Sequence, residues 1–313
     1  MIDIVGKRRI WYSISALLII PGVIALLVHG LSLGIDFTGG TSWELQFQKP
    51  VDSLEVRSIL ATHGYSDSIV QTSQDNTILI RMKELKEGSP EKTAIENEFR
   101  ARFGEFKELQ IETVGPTVGN AIRNRAILAV ILASIGVLSY IAWAFRNTDS
   151  PVLYGTVAIV AMLHDVLFVL GVFSILGWVA DIEVDALFVT AVLTVMGFSV
   201  HDTIVVFDRI RENLGKRIAP TFEETVNYSV AQTMVRSLNT SLTVILTLAA
   251  LYLFGGESTR WFVFALLIGV AAGTYSSIFN ASQILVSWEN GEIQRAFRRL
   301  TGKGAGPAMA TSR

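Results

Sequence analysis

The chain has 313 residues, of which half are hydrophobic and only 17% are charged; the formal net charge is −2 and there is no cysteine. A soluble domain carries about a quarter of its residues as charged side chains, so this balance and a clearly positive mean hydropathy describe an integral membrane protein. The near-zero charge gives no bulk attraction for nucleic acid, and the lack of cysteine excludes disulfides and thiolate metal sites.

Six stretches reach the roughly 20 apolar residues that a bilayer core requires: 10–28, 126–145, 152–178, 185–207, 238–254 and 261–288. The first follows Lys7, Arg8 and Arg9 and lacks the small-residue cleavage site of a secretory signal, so it reads as an uncleaved anchor. A polar insert, 31–124, separates it from the others. In the insert "TSWELQF" alternates, with Trp43, Leu45 and Phe47 on one face, as a half-buried strand does. "DSLEVRSILATHG" has helical spacing and ends at a glycine; "DSIVQTS" and "TILIRM" are short strands around the turn residues Gln74, Asp75 and Asn76. "SPEKTAIENEFRARFG" opens on Ser89 and Pro90 and closes on Gly104, and "ELQIETVG" is a last strand. The order β-α-β-β-α-β predicts a split-βαβ, ferredoxin-like α+β unit. His63, at a helix end with no second ligand near in sequence, reads as a solvated histidine.

The division expected is a first segment 1–30, the insert 31–124, a five-helix bundle 125–290 and a basic tail 291–313. Lysines and arginines gather on the pieces that share the N-terminal side, with Arg146, Arg209, Arg211, Lys216, Arg217 and Arg236 among them, whereas the opposite loops 179–184 and 255–260 carry only Arg260. This bias places both termini in the cytoplasm and the insert outside. After Pro220, Thr221 and Glu224 fit a capping box, and Phe222, Val226, Val230 and Met234 recur every four residues, which predicts an amphipathic helix on the inner membrane face. In the last apolar stretch Ala265, Gly269, Gly273, Ser277 and Ala281 form a small-residue stripe for close helix packing.

Polar groups inside the apolar stretches are few. "AMLHDVLFVLG" puts His164 and Asp165 near the middle of the third, and "GFSVHDTIVVFDRIREN" puts His201 and Asp202 in the fourth. Arg236 stands at the start of the fifth. An ionised group at the centre of a bilayer costs at least ~3 kcal/mol on insertion scales, so such groups face the bundle interior and pair or neutralise. Each has a plainer reading: Asp202 as the head of the following charged loop, Asp165 as a buried hydrogen-bonder, Arg236 as a positive-inside anchor. Val205, Val206 and Phe207 separate Asp202 from Asp208, which puts the acid inside. Together, two acids and a permanent cation on neighbouring helices compose a proton relay, with His164 and His201 either assisting it or only hydrogen-bonding their neighbours. The chain has no GxxxxGK[ST] phosphate cradle and no HExxH zinc motif. Two membrane aspartates also raise an intramembrane aspartic protease, but the Tyr-Asp and Gly-x-Gly-Asp signatures are missing and the aspartates follow histidines.

"LGIDFTGGT", "LHDVLFVLG", "GFSVHDTIVVFDRIREN", "LYLFGG" and "GTYSSIFNAS" resemble the SecF family over about residues 6–288. That family is one half of the SecDF component of bacterial protein export and is related to the RND transporters. The resemblance implies a six-helix RND-type half with an extracytoplasmic ferredoxin-like domain in the bacterial plasma membrane. It implies a SecD-like subunit, the SecYEG channel, a translocating preprotein and membrane lipid as partners, and neither nucleic acid, cofactor nor enzymatic turnover. The proton gradient would help to pull preproteins across after the cytoplasmic ATPase has pushed; sodium-driven relatives and another RND-type transporter half are the alternatives. The family's membrane aspartate and arginine fall on Asp202 and Arg236. Where this chain has His201 the family usually has asparagine, which puts a titratable group beside the relay.

Overall fold

A computed structural model describes residues 3–72, 75–146, 148 and 150–295; the expected basic tail lies, beyond residue 295, outside the described residues. In chain order the elements are α1 (Arg8–Val28), α2 (Ile35–Thr38), β1 (Gly40–Phe47), α3 (Ser53–Thr62), β2 (Ile69–Thr72), β3 (Thr77–Met82), α4 (Pro90–Phe103), β4 (Phe106–Val114), α5 (Pro116–Ala144), α6 (Pro151–Ala180), α7 (Ala186–Gly215), α8 (Phe222–Phe254), α9 (Glu257–Ser276), a π-helical segment (Ser277–Ala281) and α10 (Ser282–Glu289). They form two compact units. One comprises Met1–Gly30, Ile131–Val179 and Thr190–Arg313, and the other Leu31–Val130 and Ala180–Val189.

The second unit is built on a four-stranded antiparallel sheet in the order β2-β3-β1-β4. This is the ferredoxin-like order that the β-α-β-β-α-β sequence predicts. Alternation in β1 sends Trp43, Leu45 and Phe47 into one core, where they meet Val56, Ile59 and Leu60 of α3 and Ile95 and Phe99 of α4. Both helices start as the sequence implies: Asp52 accepts from Leu54 N at 2.9 Å, and Ser89 Oγ accepts from Lys92 N at 3.2 Å ahead of Pro90. His63 takes the helix-end position expected of it, half-buried. It ends α3, and its Nε2 lies 2.8 Å from Glu98 of α4, a partner 35 residues away that no local pattern reveals.

The short helix α2 and the glycine pair after it were not foreseen. Gly39 has φ of +75° and Gly40 of +131°, outside the range of ordinary side chains. A Cβ on Gly39 would stand 2.8 Å from Pro116 Cα, and one on Gly40 2.6 Å from the Met82 carbonyl oxygen, so β1 can enter the sheet here only with glycines. The same segment caps α7: Asp36 Oδ2 accepts from Ala186 N at 2.8 Å and Asp185 Oδ1 from Phe188 N at 2.8 Å, two carboxylates at the positive end of a helix. Beside them Gly34 N donates to Val184 O at 2.8 Å, and Arg81 Nε lies 3.2 Å from Glu183.

The first unit is helical. Among the described residues six helices are long and apolar enough to cross a membrane, taking Ser258–Glu289 as one. Several begin or end well outside the apolar stretches. The helix α5 starts at Pro116 because proline fits the first helical position, and the polar turns up to Arg125 simply continue into the apolar part. The separate amphipathic helix expected after Pro220 does not exist: nothing between Phe222 and Phe254 breaks the helix, so α8 is one rod of 33 residues with Thr221 Oγ1 accepting from Glu224 N. Its four-residue apolar pattern is intramolecular packing, with Val226 and Val230 fully buried.

Glycines set the close crossings. A Cβ on Gly22 of α1 would lie 2.7 Å from Gly171 Cα of α6, and that crossing is fastened by Ser174 Oγ donating to Gly30 O at 2.6 Å and by the stacked rings of His29 and Trp178, 4.4 Å apart. The small-residue stripe of α9 packs within the chain: Gly269 faces Val195, and Gly273 faces Ser199, both of α7.

Two outcomes test this packing. Gly22→Val has no room at Gly171, and overpacking of this kind costs about 1–3 kcal/mol; the thermal midpoint of the purified chain in detergent should fall, while Gly136→Val, with open space around it, should leave it unchanged. Burial raises the Glu183 carboxyl above its ordinary 4.5, against the pull of the Arg81 guanidinium. The folded unit therefore holds this proton to higher pH than the unfolded chain. Its contribution to stability is fully present below pH 4.5 and is lost as pH rises through the raised value. Glu183→Gln should flatten this part of the pH dependence of hydrogen exchange at the Gly34 and Val184 amides.

Candidate functional site

Asp165 sits midway along α6 and is wholly buried. An apolar interior leaves a carboxylate no water, so its lone pairs must be met by protein donors. Three helices supply them. Ser199 Oγ of α7 donates to Oδ2 at 2.5 Å, Ser276 Oγ of α9 to the same oxygen at 2.6 Å, and His164 Nδ1 lies 2.9 Å from Oδ1. Gly273 admits this arrangement, because a Cβ there would stand 3.6 Å from Oδ2 and 3.2 Å from Ser199 Cβ. Gly273 of the stripe thus lets a carboxylate and two hydroxyls converge.

The π-helical segment Ser277–Ala281 widens the turn directly after Ser276. Ser277 Oγ donates to Ser199 O at 3.1 Å and lies 2.8 Å from Thr203 Oγ1. Asn280 Nδ2 lies 3.0 Å from His164 Nε2 and 2.8 Å from Ser15 Oγ of α1. From there Tyr275 OH, 3.3 Å from Ser15, donates to Trp11 O at 2.8 Å. A continuous polar chain therefore runs from Asp165 to α1.

Asp202 lies one turn along α7 from Ser199 and is 6% exposed. Ser237 Oγ of α8 donates to its Oδ1 at 2.8 Å; its Oδ2 has no hydrogen-bond partner among the described residues. Arg236, the neighbour of that serine, is exposed, as is His201. Arg236 is close enough for its charge to act on the Asp202 carboxylate, but neither it nor His201 forms a hydrogen bond or ion pair with that carboxylate among the described residues. The expected residues fall into two sets: Asp165 with His164 and Gly273, and Asp202 with Arg236 and His201 beside it. Gly269 serves the α7–α9 contact alone.

The sequence reading overlooked Ser199, Ser237, Ser276 and Asn280. For Ser276 and Asn280 the signal was present in "GTYSSIFNAS", a dense run of small polar residues in an apolar helix, but it reads equally as packing. Gln283 of α10 was overlooked too; it is wholly buried and both its amide atoms lack a partner among the described residues.

Hydrogen bonds to charged groups contribute about 1.5–3 kcal/mol each. Ser199→Ala and Ser276→Ala should each lower the thermal midpoint, and the double variant should lose more than either, measured by thermal unfolding in detergent.

Comparison with known proteins agrees with this architecture. Residues 94–291 match the family described as protein export membrane protein SecD/SecF, C-terminal, and residues 24–51 match the SecD/SecF GG motif, which contains Gly39 and Gly40. Protein translocase subunit SecF of Thermobaculum terrenum is 57% identical over 97% of this chain and 99% of its own length, and that of Anaerolinea thermophila is 44% identical over 99% and 100%. The crystal structure of SecDF from Thermus thermophilus, a translocon-associated membrane protein, superposes with a TM-score of 0.81 at 33% identity, covering 92% of this chain and 39% of that one. This chain thus spans about two fifths of the SecDF chain. Shared length, glycine motif and helical architecture lead to one assignment: the chain belongs to the SecF family of protein-export membrane proteins.

Proposed function

We propose that the chain is the SecF half of a proton-driven export device in the bacterial plasma membrane, working with a SecD-like subunit beside the SecYEG channel on a translocating preprotein. Both termini lie in the cytoplasm on this reading, and residues 31–124 form the extracytoplasmic domain. The observation that carries it is Asp202: a buried carboxylate with one oxygen held by Ser237, the other unpartnered among the described residues, and Arg236 at the chain's surface within electrostatic reach. A carboxylate so placed can take a proton without breaking an ion pair. The arginine stays charged at every physiological pH and acts as the counter-ion of the ionised state. The apolar stretches of α5 and α8 are only 6% and 11% buried, which fits faces turned to lipid and to a second six-helix half.

The chain acts as a coupling subunit and not as an enzyme. A protease dyad requires two carboxylates that share a proton at close range. Here Asp165 is met by Ser199, Ser276 and His164, and Asp202 by Ser237, so the two acids have separate donors.

Preprotein translocation into energised membrane vesicles, with the SecD-like subunit co-expressed, tests the reading. Asp202→Asn should lose the gradient-dependent increment while the complex still co-purifies. Arg236→Lys keeps the charge without the planar fork and should fall substantially; Arg236→Ala should fall further. Wild-type translocation by the lysine variant would reduce Arg236 to a membrane anchor, and an increment that follows an imposed sodium gradient would replace the proton as driving ion.

A further inference from the structure

The relay reading leaves the polar chain beyond Asp165 without a task, and its chemistry is specific. Asp165 Oδ1 as a carboxylate oxygen can only accept, so the His164 Nδ1 at 2.9 Å carries a hydrogen. The other ring nitrogen faces Asn280 Nδ2 at 3.0 Å, and an amide nitrogen can only donate. A donor aimed at Nε2 requires a bare, accepting nitrogen. With the Asn280 amide in this orientation, the ring that fits both partners is the neutral one with its hydrogen on Nδ1.

An imidazolium would be the simpler partner for a buried carboxylate, and Asn280 opposes it. To accept from an Nε2–H the amide would have to turn and present Oδ1. Ser15 Oγ accommodates either orientation, since it lies 2.8 Å from Nδ2 and 3.0 Å from Oδ1. The side chain sits in the π-helical segment, a wide turn found frequently at functional sites. The groups facing the dyad are Ser15 of α1, Ser199 of α7, Tyr275 and Ser276 of α9, and Asn280; among the described residues no acid or base other than Tyr275 faces it.

We propose that Asn280 is a positioning residue: its amide N–H holds His164 neutral with the hydrogen on Nδ1, so that the ring serves Asp165 as a donor and not as a counter-charge. The proposal rests on the reading of Asp165 as part of the relay. Ion pairing would quench the acid, because a buried pair resists losing either charge. With neutral donors alone the acid stays the group that takes the next proton. The added hydrogen then sits on one carboxylate oxygen, and a serine hydroxyl rotates to accept it.

The test uses the full chain in lipid nanodiscs, labelled with nitrogen-15 histidine. The chain has four histidines, and His164→Gln identifies the signals of this one. In the wild type the nitrogen spectrum should show a protonated Nδ1 and a bare Nε2. In Asn280→Asp, which offers only acceptors when ionised, both nitrogens should be protonated, and the gradient-dependent increment of translocation should be lost. A protonated Nε2 in the wild type overturns the proposal without any variant, as does a bare Nε2 in a folded Asn280→Asp protein. A changed ring with full translocation overturns the positioning role. If the tautomer is as stated and Asp165→Asn exports normally, it is the relay reading of Asp165 that falls, while the assignment of Asn280 to His164 stands.

Discussion

A carboxylate removed from water must recover its hydrogen bonds from protein, and in the helical unit this one demand organises the meeting of α6, α7 and α9. Asp165 is answered by hydroxyls from two different helices, at 2.5 and 2.6 Å, on a single oxygen. Hydroxyls on separate helices can reach one atom only where the backbones approach closely, and that approach is what Gly273 permits. The small residues, read alone, are packing. Read with the acid, they are the means by which a buried charge is tolerated at all.

The helix α7 is the common partner. Ser199 and Thr203 stand one turn apart on one face, where Ser199 reaches Asp165 and Thr203 reaches Ser277, while Asp202, adjacent to Thr203, meets Ser237 of α8 on another side. The surroundings of both acids therefore include the same two turns of α7. The caps at the start of α7, from Asp36 and Asp185, belong to the sheet unit and satisfy amides that would otherwise be orphaned.

What the sequence disclosed follows from how local each cause is. The order of the sheet unit was readable because alternation in β1, the caps Asp52 and Ser89 and the stop at Gly104 are each decided within a few residues. The existence of six long apolar helices was readable for the same reason. Their limits were not: apolarity marks where lipid is, and a helix such as α8 continues through polar turns as long as nothing breaks it. The aspartates stood out because their cost is intrinsic to them. Their partners did not, because serine and asparagine are unremarkable until a fold sets them against a charge, as His63 was until α4 brought Glu98 to it. The small-residue stripe was legible as a packing surface, but its partner was not, because only the fold sets α7 against it.

The two acids differ in a way that bears on how coupling could work. Asp165 is sealed, with a donor on each oxygen and two on one of them. Asp202 is half answered, and the cation that would balance it lies at the chain's own surface. A permanent charge on a lipid-facing helix would be costly, whereas the same charge in a seam between two six-helix halves can pair or be hydrated there. On the proposed reading a second six-helix half completes the arrangement of the second acid, while that of the first is met within the chain. In the proposed coupling these are two kinds of site: one whose charge balance depends on a partner, and one whose hydrogen bonds all come from the chain's own helices.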